Sequence, residues 1–312
     1  MEPVPLPRLH FSPRAAGVGE VYGVTREDGR YRLYYAIAGG GGLGRAVSDD
    51  LVIWWEQPVA DSPGEWGCGS VVTGPAVYFT RTPGAVDRAV SGPPGWTTSR
   101  VLDAGPGLRD PYVWSEGGEW RMLLAAADRI VQYRSSDQRT WEFVSDLTAW
   151  EGARCPQLFP LGGAWVLLVA GSYAVGSYDG RTFAPHHRGV FGHGGFEHVV
   201  TFPDAAGRRC ALARLGEALS LPWILSVRAE RLLASPHPHL DPYLITGAAG
   251  LTAAGGEVRD NGELILRMPP GGETLVLADA DIVEVTVEGV SGLGAARRSM
   301  PGSSGLRIAR FA

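Results

Sequence analysis

Apolar positions fall along this chain in short runs rich in Val, Tyr, Trp and Leu, and the runs are broken by 44 glycines and 23 prolines. Strand-length apolar segments punctuated by turn formers predict many β-strands and little helix. The runs also repeat. A glycine opening a strand-like run occurs at Gly29–Ala36, Gly74–Arg81, Gly118–Ala125, Gly163–Ala170 and Gly207–Arg214. Successive glycines lie 45, 44, 45 and 44 residues apart. Any one match is worthless in a glycine-rich chain, but five in phase are hard to obtain by chance.

A second pattern, Ser-x-Asp-x-x-x-aromatic, runs in step with the first at Ser48–Trp54, Ser135–Trp141 and Ser177–Phe183, with a shortened copy at Ser91–Trp96. Ser and Asp side chains bond the backbone of a hairpin turn, and the aromatic residue then packs between sheets. A unit of about 44 residues holding several short strands has the size of one propeller blade. A blade cannot bury both faces alone, so blades stack around an axis. The expectation is an all-β chain with a five-bladed β-propeller over residues 1–242. A small, reduced C-terminal β-sandwich-like appendix follows over residues 243–312, where strand-like runs continue out of phase.

Composition narrows the function classes. The chain has 312 residues, 45% of them hydrophobic and 20% charged, enough to bury a real core. Its net charge of −5 gives no reason to expect nucleic acid or an anionic membrane as partner. All basic residues are arginine, which carries no catalytic meaning. Cys68, Cys155 and Cys210 are few, odd in number and far apart, which argues against a disulfide framework and a zinc site. No metal or other cofactor is expected. The proline-rich start lacks the apolar core of a signal peptide. No apolar run reaches a membrane-spanning length of about 20 residues. A reduced, cytoplasmic protein with a small-molecule ligand is the expectation.

Several motifs then point to a family. His10–Pro13, Leu43–Trp54, Leu108-Arg109-Asp110-Pro111, Cys155–Pro160 and Ala218–Pro222 stand in an order that resembles glycoside hydrolase family 32, the family of invertases, levanases and inulinases. The resemblance implies a five-bladed propeller with a funnel-shaped pocket, in agreement with the repeat count. It also implies a retaining mechanism on three carboxylates: a nucleophile, a transition-state stabiliser in Arg-Asp-Pro, and an acid in a Glu-Cys motif. In this chain the first motif has become Gly17–Gly23, which places Glu20 at the nucleophile position. Asp110 is intact, and the Glu-Cys motif has become Arg154-Cys155. A guanidinium cannot protonate a leaving oxygen at neutral pH.

The repeat extends the candidate site. Glu20, Glu65, Arg154 and His198 each lie nine residues before their repeat glycine, and Asp110 lies eight before its own. If each sits on its blade's innermost strand, the five face one another around the axis. Glu20, Asp110 and His198 are the candidate catalytic groups; Arg154, Arg109, Glu65, Trp66 and Glu197 are candidate substrate contacts. Plainer readings stand beside these: Glu20 as a solvated loop carboxylate, Asp110 as a structural acid paired with Arg109, and Arg154 as a neutralising partner. The remaining histidines, in Gly/Pro-rich turns, read as surface. With the acid replaced, the expectation is a hydrolase scaffold diverted to non-hydrolytic chemistry such as a cyclisation or rearrangement in natural-product biosynthesis. The alternatives are a β-fructosidase or transfructosidase with a relocated acid, for which Glu197, Glu65 and His198 are candidates, and a non-catalytic sugar-binding protein.

Overall fold

The computed structural model describes residues 9–14, 16–40, 42–60, 67–74, 76–82, 84–92, 95–299 and 305–312. Five antiparallel sheets of sequential strands follow one another along the chain. They begin with the innermost strands Val18–Glu27, Gly69–Val72, Arg109–Glu116, Pro156–Leu161 and Glu197–Pro203. The repeat glycines stand in the turn between the first and second strand of every sheet, each left-handed, with φ between 76° and 84°. A β-carbon at any of the five would meet nothing within 4 Å. Glycine is therefore there for its backbone, since a left-handed turn residue costs other side chains conformational energy.

The Ser-x-Asp motif closes the outer hairpin, between the third and fourth strands. Ser48 Oγ accepts from the Asp50 and Leu51 amides, and Asp50 Oδ1 accepts from those of Val52 and Ile53. Ser135 and Asp137 repeat the pattern on residues 137–140. The aromatic that follows packs on the preceding blade. Trp141 meets Tyr78 edge-on at 6.0 Å and Trp96 meets Tyr34 at 6.3 Å. Trp54 packs against the cluster shared by blades five and one.

Every blade-to-blade junction has its own buried cluster. Tyr22 and Phe79 join blades one and two, Tyr78 and Met122 two and three, and Leu123 and Leu167 three and four. Phe159 and Trp223 join four and five, and Val21 and Leu212 join one and five. The ring is thereby closed as a five-bladed β-propeller. Its closure is non-covalent: Leu219 N donates to Phe11 O at 2.9 Å, and Val18 N to Glu217 O at 3.0 Å.

Beyond the fifth blade lie a three-stranded sheet and a six-stranded one. The larger sheet takes in Gly192–Gly194, which precedes blade five and pairs in parallel with Leu293–Arg297. A buried polar clasp binds the two parts. His10 contacts Asp279 at 3.0 Å and Glu284 at 2.7 Å, while Glu284 also accepts from Leu221 N and the Trp223 indole. No helix among the described residues is long and apolar enough to cross a membrane.

Candidate functional site

The five innermost strands surround a cavity of about 460 Å³ on the propeller axis. Cys68, Asp110, Cys155 and His198, from the beginnings of four of these strands, gather at one end of it. Irregular backbone aims them. Gly19 and Glu20 together stand against Ala36, Asp110 and Pro111 together against Leu124, and His198 is an extra residue between the Glu197–Arg214 and Val199–Ala213 pairs. Each is a β-bulge, which re-aims a side chain that regular alternation would fix. Asp110, Cys155 and His198 also have left-handed φ values of 60°, 45° and 48°. Non-glycine residues held there are strained, and such strain gathers at functional sites.

Asp110 is buried, and its Oδ2 accepts from Arg154 Nε at 2.9 Å and from the Cys155 amide at 3.0 Å. Its partner is therefore Arg154; Arg109 is half-buried, and its Nε has no acceptor among the described residues. Arg154 remains half exposed. Glu20 lies 2.7 Å from His198 Nδ1, a close ion-pair contact rather than an aligned hydrogen bond. Burial pushes the Glu20 pKa up, but His198, with Arg214 and Arg154 beyond, outweighs it, and the net direction is down. The His198 imidazole is largely desolvated, which opposes its charge, yet Cys155 and Glu20 raise its pKa to about 10.

Two residues that the sequence reading left outside the site belong to it. Cys68 and Cys155 place their sulfurs 2.6 Å apart. Cys68 Sγ is 3.6 Å from His198 Nε2, and Cys155 Sγ is 3.8 Å from Nδ1. The Cys68 contact and the His198 cation hold the Cys155 thiol down at about 7 against burial, while Cys155 and burial push Cys68 well up. The glycines around Cys68 permit this approach: a β-carbon at Gly67 or Gly69 would collide with the backbone oxygen of Thr80 or Tyr78. A Gly-x-Gly flanking a cysteine was the available sequence signal.

The other candidates divide. Glu197 is exposed and pairs with Arg214 at 2.9 Å. Glu65 and Trp66 lie outside the described residues. Among the histidines expected at the surface, His237 is instead fully buried, 3.2 Å from Asp204, where it caps the short 3-10 turn Pro238–Tyr243 and its amide donates to Pro222 O.

Comparison with known proteins agrees with this architecture. Residues 97–220 match the glycosyl hydrolases family 32 N-terminal domain. Sucrose-6-phosphate hydrolase of Escherichia coli is 29% identical over 174 residues, 44% of this chain and 36% of that protein. Levanase of Bacillus subtilis (strain 168) is 33% identical over 175 residues, 45% of this chain and 26% of that protein. The matched stretch thus spans about a third or less of these curated relatives. Among solved structures, sucrose-6-phosphate hydrolase from Lactobacillus gasseri shares the fold with a TM-score of 0.77 at 15% identity, over 98% of this chain and 90% of that one. The chain is thus similar to glycosyl hydrolase family 32 in sequence across residues 97–220, and nearly all of its length shares the fold of a sucrose-6-phosphate hydrolase.

Proposed function

We propose that the axial site takes a β-fructofuranoside-class sugar and cleaves those substrates whose leaving group departs without protonation. The observation that carries this reading is a pair of acids on two of the innermost strands: the buried Asp110 of an intact Arg-Asp-Pro motif, which lines the axial cavity, and Glu20, bulged from blade one and set just behind the cavity wall against His198. Glu20 would attack the anomeric carbon and expel the leaving oxygen, and water would then release the sugar from the ester. Asp110 would hold sugar hydroxyls. Arg154 stands where the resemblance puts the acid, cannot give up a proton at neutral pH, and is already engaged with Asp110. A sucrose-type leaving group therefore departs slowly, and an aryl leaving group is far less affected. The related sucrose-6-phosphate hydrolase and levanase favour a fructoside over the cyclisation or rearrangement expected at first, for which nothing in the comparisons speaks.

The test is turnover of sucrose and of a nitrophenyl fructofuranoside by the native chain and by Glu20→Gln and Asp110→Ala. The expected result is aryl fructoside cleavage that both variants lose, with sucrose turnover far below about 1 per second. Sucrose cleavage at an ordinary rate would mean a relocated acid; His198, in contact with Glu20, is then the residue to replace. Binding of fructosides with no cleavage reduces the reading to a sugar-binding protein. Failure to bind any fructoside overturns it.

A further inference from the structure

We propose that Cys68, Cys155 and His198 Nε2 form a binding site for one zinc-class divalent metal ion, with Glu20 holding the imidazole from its other nitrogen. The inference goes beyond the fructoside reading and does not rest on it. The three ligands come from blades two, four and five, and Glu20 comes from blade one. One ligand atom from each of Glu20, Cys68, Cys155 and His198 can be chosen so that all lie within 4.8 Å of one another. A tetrahedral ion bound at about 2.3 Å to sulfur and 2.1 Å to nitrogen sets its donors roughly 3.5–3.8 Å apart. The Cys68–His198 Nε2 distance of 3.6 Å already fits. The sulfurs lie 2.6 Å apart, so the two thiols face one another across the site. A shared ion requires them to part by about 1.2 Å, within reach of side-chain rotation.

A disulfide would also join them, but it would leave the rest of the arrangement without a purpose. It needs neither an imidazole nitrogen beside its sulfur nor a carboxylate on that imidazole. A metal site uses both: ligating histidines characteristically have a carboxylate on the second nitrogen, which fixes the tautomer and orientation. Glu20 lies 2.7 Å from Nδ1, close enough that a small rotation of the carboxylate puts it in that position. Cys155 and His198 are held in left-handed backbone to reach the cluster, and the Cys155 amide is pinned by Asp110. The three proposed ligands all line the axial cavity and Glu20 does not, so a fourth coordination position faces the cavity. Holding the metal commits Glu20 to the imidazole, so an added ion is expected to slow fructoside cleavage.

The experiment uses the full chain, purified in reductant and then freed of it, without substrate. Elemental analysis should find about one zinc per chain after exhaustive buffer exchange. Cobalt(II) added to metal-stripped protein should give a near-ultraviolet sulfur-to-cobalt charge-transfer band and the strong visible bands of four-coordination. Cys68→Ser and Cys155→Ser should each lose most of the charge-transfer intensity, and Cys210→Ser none. Glu20→Gln should keep the stoichiometry and weaken affinity about 10- to 100-fold. Should the cysteine variants fail to fold, the native spectrum and a thiol count still decide. Three reactive thiols in the denatured native chain, with no retained metal and no charge-transfer band, would overturn the site. A single reactive thiol before reduction would also overturn it, because Cys68 and Cys155 would then be a disulfide.

Discussion

Arg154 decides the chemistry of the axial site by what it cannot do and by what it occupies. Its guanidinium holds Asp110 and offers no proton. Arg154→Glu frees Asp110 and restores a third carboxylate at the position the resemblance gives to the acid. We expect sucrose turnover to rise about 10²- to 10⁴-fold over the native chain, the range a positioned general acid supplies, with a much smaller change on the aryl fructoside. Equal gains on both substrates would mean that release of Asp110, rather than acid catalysis, is responsible. At this scale the sequence was partly legible. Asp110 and Arg154 were found because a motif surrounds them, and His198 because it keeps the repeat offset. Glu65, the candidate from blade two, lies outside the described residues; among those described, Cys68, three residues later, is the blade-two residue in the cluster. Cys68 and Cys155 are 87 residues apart, so short-range ligand spacing could not connect them.

The elements explain why the offsets worked and where they slipped. A left-handed repeat glycine, preceded by a second at Gly117 and Gly162 in blades three and four, fixes the first hairpin of every blade, and the residues before it run back toward the axis. Bulges at Glu20, Asp110 and His198 break the alternation, so the facing residue is set by local irregularity and not by counting. Because the repeat glycines have open space around them, Gly118→Ala and Gly163→Ala should each cost about 1 kcal/mol through backbone conformation alone. Chemical denaturation midpoints would measure both, and a cost near zero at either would remove the backbone argument. In the outer hairpin, Asp50→Ala deletes the acceptor for two amides and for Tyr243 Oη, and should cost about 1–2 kcal/mol in the same assay.

Across the whole molecule, the His10 clasp makes stability depend on pH. Burial opposes the charge on His10, but Asp279 and Glu284 outweigh it and raise the pKa from 6.5 to about 9. A group with a raised folded-state pKa contributes fully below its unfolded value, and that contribution is lost as pH rises through the folded one. Stability should therefore fall between about pH 7 and pH 10, by roughly 3 kcal/mol at most from this group. His10→Gln should be less stable than the native chain at pH 6 and show a flatter profile; an unchanged slope in denaturation across that range would remove His10 as the cause. We propose residues 1–242 and 243–312 as the two domains. The six-stranded sheet and the clasp cross that boundary, so truncation after Pro242 should leave a chain without a cooperative thermal transition. A fragment melting as sharply as the whole would show that the propeller needs no appendix.

The sequence by itself determined the all-β class, the five blades and the family likeness, because hairpin glycines, Ser-Asp turns and alternating apolar runs are local signals that recur once per blade. It also supplied Asp110 and Arg154, which lie in contiguous motifs. Only the tertiary structure decided that Asp110 pairs with Arg154 and not with Arg109, that Glu197 faces solvent, and that two distant cysteines meet a histidine and a glutamate on the axis. Those contacts depend on ring closure and on bulges that shift register by one residue. A one-residue shift turns a side chain to the other face of its strand, and no periodic pattern in the sequence records it.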